Sequence, residues 1–465
     1  MKRYKLSRDI PIEDGYDVFI AGGGPAGVSA AICAARMGAK TLLAEATGCL
    51  GGMGTAGQVA AFNPMSDGKK RIVGGLMAEI VELMFERGYM GPWTSREIWE
   101  KGGAWLPFQP EGLKLILDEL VIGAGVELRF FNRLIDVDAD DETGTVNGVI
   151  LHSIEGYTYI NARSYIDCTG DAVFAALCGV FCREAGKDTS DIMPATLTSI
   201  QTGIDWSGLV HPTQDYGIPE LIEKAHEEGV LSQCDRHLPG LMRIGENLGF
   251  LNAGHIFGMN ALKSRELTAA MIFGRKQARE YLDFYQKYVP GCKKMEIANT
   301  SGLMGVRESR RIVGEYELCY EDFASKRHFD DEIGVFCNFI DIHIYDCSKE
   351  SFDVYMDYRN SKSLQKGDSF GIPYRILVPK GWNNLWVAGR CVSCDVKMQA
   401  AIRVMPAASI MGQAAGTAAV LSLRENKPAS ALSSMLLTET LKKHGAYLPV
   451  NRYSEHTCAL KCIDI

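Results

Sequence analysis

The sequence predicts an α/β fold, a parallel sheet with flanking helices that is split by an inserted α+β unit. Three observations predict it. The apolar run 16–21 meets a Gly-rich turn and then an Ala-rich helical stretch, the strand–turn–helix unit of a doubly wound sheet. Strand-like runs return late, at 372–378 and 384–388. Between these, residues 181–371 change texture, with long helical stretches such as Ser264–Tyr288 and irregular connections. We expect residues 1–180 and 372–465 to build one nucleotide-binding domain and 181–371 to form a substrate or cap domain.

The elements follow in order. Residues 16–21 read as a buried strand, 25–37 as a helix, 40–45 as a second strand and 48–57 as a Gly-rich loop. The run 73–87 is helical, with Leu76, Ile80, Leu83 and Met84 at helical spacing. Residues 89–109 set Trp93, Trp99 and Trp105 among Gly and Pro and read as irregular, and 111–122 as a helix. Strands are expected at 126–131, 134–138, 146–154, 157–161 and 163–167, with turns at 142–144 and 155–156. The uncharged run 404–423 contains Gly412 and Gly416, a helix-dimer spacing long enough to span a bilayer. It is dominated by Ala and Gly, carries Gln413 and Thr417, and opens at Pro406. We expect a buried helix packed closely on a sheet, and no membrane span.

Composition excludes several functions. Hydrophobic residues make up 46% and charged residues 23%, which excludes a disordered chain. The net charge of −8 lacks the basic footprint of a nucleic-acid binder. Fourteen cysteines in 465 residues are too sparse for a disulfide scaffold. The first 16 residues mix basic and acidic side chains without an apolar run, so no secretory signal is expected, and a cytoplasmic location with reduced thiols is. Glycine is in excess at 49 residues, ten of them within 22–57.

That block carries a dinucleotide fingerprint. Gly22 permits the sharp turn, Gly24 lets the backbone approach a pyrophosphate, and Gly27 lets helix and strand pack closely. Pro25 and Ala26 open the helix, whose free N–H groups and dipole favour an anion. Glu45 closes the second strand 18 residues after Gly27, with Ala46 beside it, where a carboxylate accepts hydrogen bonds from a ribose diol. A second Gly-rich loop, through Gly51, Gly52, Met53 and Thr55, suits an extended cofactor such as FAD. No second GxGxxG follows a strand, which disfavours a bound nicotinamide. Thr169, Gly170 and Asp171 end one further strand, and Gly389 and Arg390 another. Val404 and Met405 start the uncharged helix, whose dipole would face the flavin N1/O2 edge.

Several motifs occur in order: the fingerprint, the Gly51-Gly52 loop, residues 305–312 (GVRESRRI), Ile372-Pro373-Tyr374-Arg375, and residues 384–419. Over roughly residues 16–425 the chain resembles the bacterial FAD-dependent oxidoreductase family, distantly related to fumarate reductase and succinate dehydrogenase flavoproteins. The resemblance implies FAD and a Rossmann-like FAD-binding domain of glutathione-reductase type with an inserted cap. It implies no substrate.

Candidate catalytic residues follow from charge and pattern. Arg307, Arg310 and Arg311 share a face if helical and would then grip a carboxylate or phosphate; the alternative is a structural cluster paired with Glu308 and Glu315. Apolar–polar alternation over 339–345 puts Asp341, His343 and Tyr345 on one strand face. His343, with Asp341 beside it, is the candidate base; the alternative is a satisfied structural histidine, and His255 is a weaker candidate base. Arg403 and Arg375 are further candidates for a substrate anion or the flavin edge. Cys391 and Cys394 could form a redox pair, and Cys49 could link to FAD or be an inert thiol. His456, Cys458 and Cys462 match no standard metal pattern, so no metal is expected.

The expected reaction is hydride transfer between a small hydroxylated or anionic substrate and flavin N5. The alternatives are a fumarate-reductase-like C=C reductase in which an arginine delivers the proton, a flavin-dependent disulfide reductase, and a non-catalytic flavin-binding partner subunit. The expected partners are the small-molecule substrate and an electron acceptor or donor; a homo-oligomer stays open.

Overall fold

The computed structural model describes residues 4–102, 105–189, 191–209, 218–237, 239–361 and 364–449. His456, Cys458 and Cys462 lie outside the described residues. Five parallel strands form the central sheet in the order Glu127–Arg129, Thr41–Ala44, Ile12–Ala21, Gly156–Asp167 and Leu385–Val387. Thr145–Ser153 and Arg133–Asp140 extend it antiparallel from the first half of Gly156–Asp167. Val18, Phe19 and Ile20 are all buried, because both faces of this region of the sheet are covered.

Gly156–Asp167 is one strand where two were expected. Asn161 and Arg163 are exposed while Ile160, Ala162 and Ser164 are buried, so the alternation runs through residue 162 without a break. The expected strand 372–378 also differs. Phe370–Pro373 pairs antiparallel with Glu332–Phe336, away from the central sheet, and Tyr374–Leu377 is a helical turn. The turn is drawn in by Asp331, whose carbonyl accepts from Tyr374 N–H at 2.8 Å and whose carboxylate accepts from Arg375 N–H at 3.1 Å. Within the irregular 89–109 stretch, Ile98–Gly102 makes a helical turn that buries Trp99.

Met405–Glu425 is the buried helix expected, but its close partner is the helix Pro25–Arg36. A Cβ at Gly412 would lie 2.0 Å from the Ala26 carbonyl oxygen, and one at Gly416 2.2 Å from that of Ala30. The two glycines therefore allow backbone-to-backbone contact along two turns, fastened by Ser29 and Ser409 hydroxyls 2.7 Å apart. Among the described residues no single helix is long and apolar enough to cross a membrane. Residues of this late strand pair, including Val335, Phe336, Phe370 and Ile372, share one hydrophobic core with the helix pair.

A second sheet is antiparallel, in the order Pro239–Arg243, Gly249–Ala253, Ser199–Thr202 and Glu296–Thr300. The helix Ser264–Tyr288 covers it, burying Tyr281, Leu282, Phe284 and Tyr285 with Leu241 and Leu251. This unit is tied to the Gly-rich loop near the sheet. Thr198 Oγ1 donates to the Gly57 carbonyl at 2.6 Å, and Gly302 N–H donates to that of Ala56 at 3.0 Å.

Candidate active site

The fingerprint glycines divide their work as the turn requires. Gly22 sits at φ +97° against the Cys168 carbonyl, and a Cβ on Gly27 would fall 1.7 Å from the Gly22 oxygen. Gly24 differs: a Cβ there would meet nothing within 4 Å. The open space lies at the start of Pro25–Arg36, which no side chain caps. The helix Met405–Glu425 also starts without a side-chain cap, at Val404. Pro25, Gly51, Met405 and Ser409 line one small, mainly apolar crevice with side chains such as Phe62 and Leu113, so the Gly51 loop and both helix starts converge. Uncapped starts leave N–H donors that need a partner. The Glu45 carboxylate is held by Gly23 N–H at 2.6 Å and Thr47 N–H at 2.7 Å. A room-making glycine, two uncapped helix starts and a fixed carboxylate fit an extended dinucleotide.

The remaining turn residues serve mainly the protein. Asp167 is fully buried and accepts from Thr169 N–H, Thr169 Oγ1 and Ala175 N–H, which shapes the 169–171 turn. Arg390 donates to the Gly170 carbonyl at 2.8 Å and to the Asp171 carboxylate at 2.5 Å, and Ser309 also donates to Asp171. Arg390 and Asp171 thus clamp two strand ends together.

The arginine motif is not helical. Residues 310–312 pair as a strand with Cys182–Glu184, and Gly305 bridges to Thr196. The three guanidiniums consequently diverge. Arg311 is buried on Asp188 and the Cys394 carbonyl, and Arg310 faces Glu184 at 3.5 Å. Glu308 accepts from Met193 N–H instead of pairing with an arginine. Arg375 is bidentate on Asp331 and lies over the Tyr316 ring. Arg310, Arg311 and Arg375 are therefore occupied by structural partners.

Among the described residues Arg307 has no carboxylate partner. It is buried, and its hydrogen bonds go to the Pro194 carbonyl at 2.6 Å and Thr196 Oγ1 at 3.0 Å, both neutral oxygens. Burial, and then the nearby Arg403 charge, push its pKa down to about 9. A buried cation without a carboxylate partner is costly unless an anion joins it.

Residues 339–345 are not a paired strand, yet Asp341 and His343 still meet, with His343 Nε2 3.2 Å from Asp341 Oδ2. Tyr345 is half-buried within reach of the Glu308 charge. Arg403 donates to the Asp341 carboxylate and carbonyl, each at 2.9 Å. On its other side His343 Nδ1 lies 2.7 Å from His255 Nε2, and His255 Nδ1 lies 3.0 Å from Asp235 Oδ2. An Asp235–His255–His343–Asp341–Arg403 chain results. Burial, with the charges of Arg307 and Arg403, holds His343 well below the usual histidine range, so the ring is neutral.

His237 stacks on His343 with ring centroids 4.4 Å apart and an interplanar angle of 3°. The His237, His255 and His343 ligand atoms lie within 4.8 Å of one another. Parallel rings cannot aim in-plane lone pairs at one common ion, so this stacked arrangement does not form a metal centre. Asp235 and His237 escaped the sequence reading because nothing periodic marks them. Only the separation of residues 235, 255 and 343 in the chain, closed by the fold, unites them.

Cys391 and Cys394 are buried free thiols, and burial raises both pKa values. Neither presents a thiolate for exchange.

These features fit a dinucleotide-binding protein, and the 196–198 and 302–307 segments tie the Gly-rich loop at residues 56–57 to Arg307. The FAD dependent oxidoreductase family matches residues 17–443, and the chain belongs to that family. It is an FAD-dependent enzyme. Similar solved structures include a geranylgeranyl bacteriochlorophyll reductase-like protein from Thermoplasma acidophilum, at 15% identity over 93% of this chain and 83% of that one, with a TM-score of 0.47. The myxobacterial chondrochloren halogenase CndH is similar at 14% identity over 93% and 78%, TM-score 0.43. The anhydrotetracycline hydroxylase OxyS from Streptomyces rimosus is similar at 14% over 92% and 65%, TM-score 0.44. Comparison with curated proteins finds no match.

Proposed function

We propose that the enzyme oxidises a small hydroxylated substrate carrying an anionic group, with His343 as the base and Arg307 and Arg403 holding the anion. The observation that carries this reading is the buried Arg307 guanidinium, bonded among the described residues to neutral oxygens alone. Bound FAD supplies the acceptor for the hydride at N5. The substrate C–H bond would give up its electron pair with the hydride, and the hydroxyl proton would pass to the His343–Asp341 pair, whose nearest atoms, Nε2 and Oδ2, stand 3.2 Å apart. Arg307 and Arg403 are among the charges that depress His343. A substrate anion between them cancels some of that charge, so binding itself strengthens the base. Arg403 immediately precedes the uncapped helix start at Val404, which supports a site beside the expected flavin edge.

A second reading is a C=C reductase in which Arg307 delivers a proton; its lowered pKa favours that role. Anaerobic mixing of the holoenzyme with hydroxy acids, sugars and reduced nicotinamides decides between them. Bleaching of the oxidised-flavin absorbance by a hydroxy acid supports the first reading. Bleaching by none of the alcohols or acids, with reoxidation of the reduced enzyme by fumarate, supports the second.

A further inference from the structure

Phe131 stands just past the carboxyl end of the strand Glu127–Arg129, whose parallel neighbour is Thr41–Ala44. Ligands of an open α/β sheet lie beyond such strand ends. Three backbone bonds join the two ends. Glu45 N–H donates to the Arg129 carbonyl at 2.9 Å, Asn132 N–H to that of Glu45 at 3.0 Å, and Phe131 N–H to that of Thr47 at 3.1 Å. Phe131 is therefore fixed beside Glu45, the carboxylate that suits the ribose diol of FAD. Two features of Phe131 then call for a partner. Its φ is +55°, a left-handed conformation in which a bulky side chain is strained. Yet it is 69% exposed, so burial within the chain does little to offset the strain. A Cβ on Gly48 would fall 2.5 Å from Phe131 Cζ and 3.1 Å from Cε1. A glycine thus makes room for the far edge of the ring, and an edge contact on so exposed a side chain leaves a ring face in solvent.

We propose that Phe131 is the platform on which the adenine of FAD stacks. The adenine is bonded to C1′ of the same ribose whose diol Glu45 suits, so a base beside Glu45 comes to the exposed face of Phe131. Phe130, the neighbouring aromatic, packs against the hydrophobic core and leaves this role to Phe131. Stacking needs a π face and no particular set of hydrogen bonds, which matches a surface that offers a ring and little else. It also covers the ring and offsets the strain of the left-handed turn, which the apoprotein carries without return. This inference is independent of the roles of His343 and the arginines, and it rests on Glu45 as the ribose residue.

The test is FAD titration of the full-length apoprotein, by flavin fluorescence, in wild type, Phe131→Leu and Phe131→Trp. Loss of the stacking face should raise the Kd of Phe131→Leu about 5- to 150-fold. Phe131→Trp keeps an aromatic face and should bind FAD as tightly as wild type. The urea midpoint of the Phe131→Leu apoprotein should match wild type, because so exposed a ring supports little of the fold. ADP, which carries the adenine but no flavin ring, should quench the indole introduced by Phe131→Trp beyond any change in wild type. An unchanged FAD Kd in Phe131→Leu overturns the proposal, and so does an equal loss in Phe131→Trp or a lowered urea midpoint. Should Phe131→Leu not fold, the ADP signal of Phe131→Trp decides, and its absence overturns the proposal. An unchanged FAD Kd in Glu45→Gln would sink the ribose placement separately, since the ADP signal reports the adenine whether or not Glu45 holds the sugar.

Discussion

Gly24→Ala should separate folding from cofactor binding. The backbone there, at φ −69° and ψ −176°, suits any residue. An added Cβ meets nothing within 4 Å. The apoprotein should therefore unfold within about 0.5 kcal/mol of wild type, as for a surface change. The space that the methyl occupies is where the pyrophosphate approaches the N–H groups of the helix start. Loss of one hydrogen bond to a charged group costs about 1.5–3 kcal/mol, which is about 10- to 150-fold in Kd. Urea melting of the apoprotein and titration with FAD by flavin fluorescence measure the two effects. An unchanged Kd refutes the placement of the pyrophosphate at Gly24. A lowered urea midpoint refutes the claim that the space is free of protein. Gly27→Ala is the contrast, since its Cβ would lie 1.7 Å from the Gly22 oxygen, and it should fail in both assays.

Four further outcomes are expected. Gly412→Ala must push a pair of helices apart by more than 1 Å to relieve a 2.0 Å contact with backbone. It should cost about 1–3 kcal/mol in urea melting, and an unchanged midpoint would show that the seam is loose. Arg307→Met removes a buried cation whose bonds go to neutral oxygens. The apoprotein should remain at least as stable, while turnover of whichever anionic substrate bleaches the wild type falls by about 2–5 kcal/mol in kcat/KM; a marked loss of apoprotein stability argues against an unmet charge. His237 and His343 are held below the ordinary histidine pKa by burial. The unfolded chain therefore binds more protons below about pH 6.5. Stability should be flat above that pH and fall below it, by about 1.4 kcal/mol per pH unit for each ring, measured as the urea midpoint; a midpoint that rises on acidification contradicts the assignment. Finally, iodoacetamide should leave Cys391 and Cys394 unmodified in the native protein while half-buried Cys49 reacts. Rapid labelling of the pair would revive thiol exchange with the flavin.

The cofactor half of the molecule was legible because its signals are local. A strand, a glycine at each forced position and an acid at the next strand end all lie within residues 16–45, and backbone sterics alone tie them together. The GxxxG pair was legible as close packing, though not its partner, since spacing cannot tell a helix from a sheet as the opposing surface. The arginine motif misled because helical spacing among charges is weak evidence without an apolar face. Residues 305–312 instead find backbone partners at 182–184 and 196. Alternation over 339–345 placed Asp341 beside His343 correctly without a strand forming, because an extended chain alternates whether or not it is paired. Asp235 and His237 carried no local signal. Their role depends on an antiparallel sheet that brings residue 235 to residue 255 and on a loop that delivers His343.

The order of strands in the central sheet also governs how the protein is made. The strand Gly156–Asp167 has on one side Ile12–Ala21 and, along its second half, on the other Leu385–Val387, more than 200 residues later in the chain. The first helix waits still longer for its partner, Met405–Glu425. During synthesis the fingerprint emerges early, but the surface that closes over it emerges only when most of the chain has been translated. A nascent chain therefore carries an exposed sheet edge and an uncovered small-residue helix for nearly its whole elongation. Closure of the sheet therefore belongs to the end of synthesis.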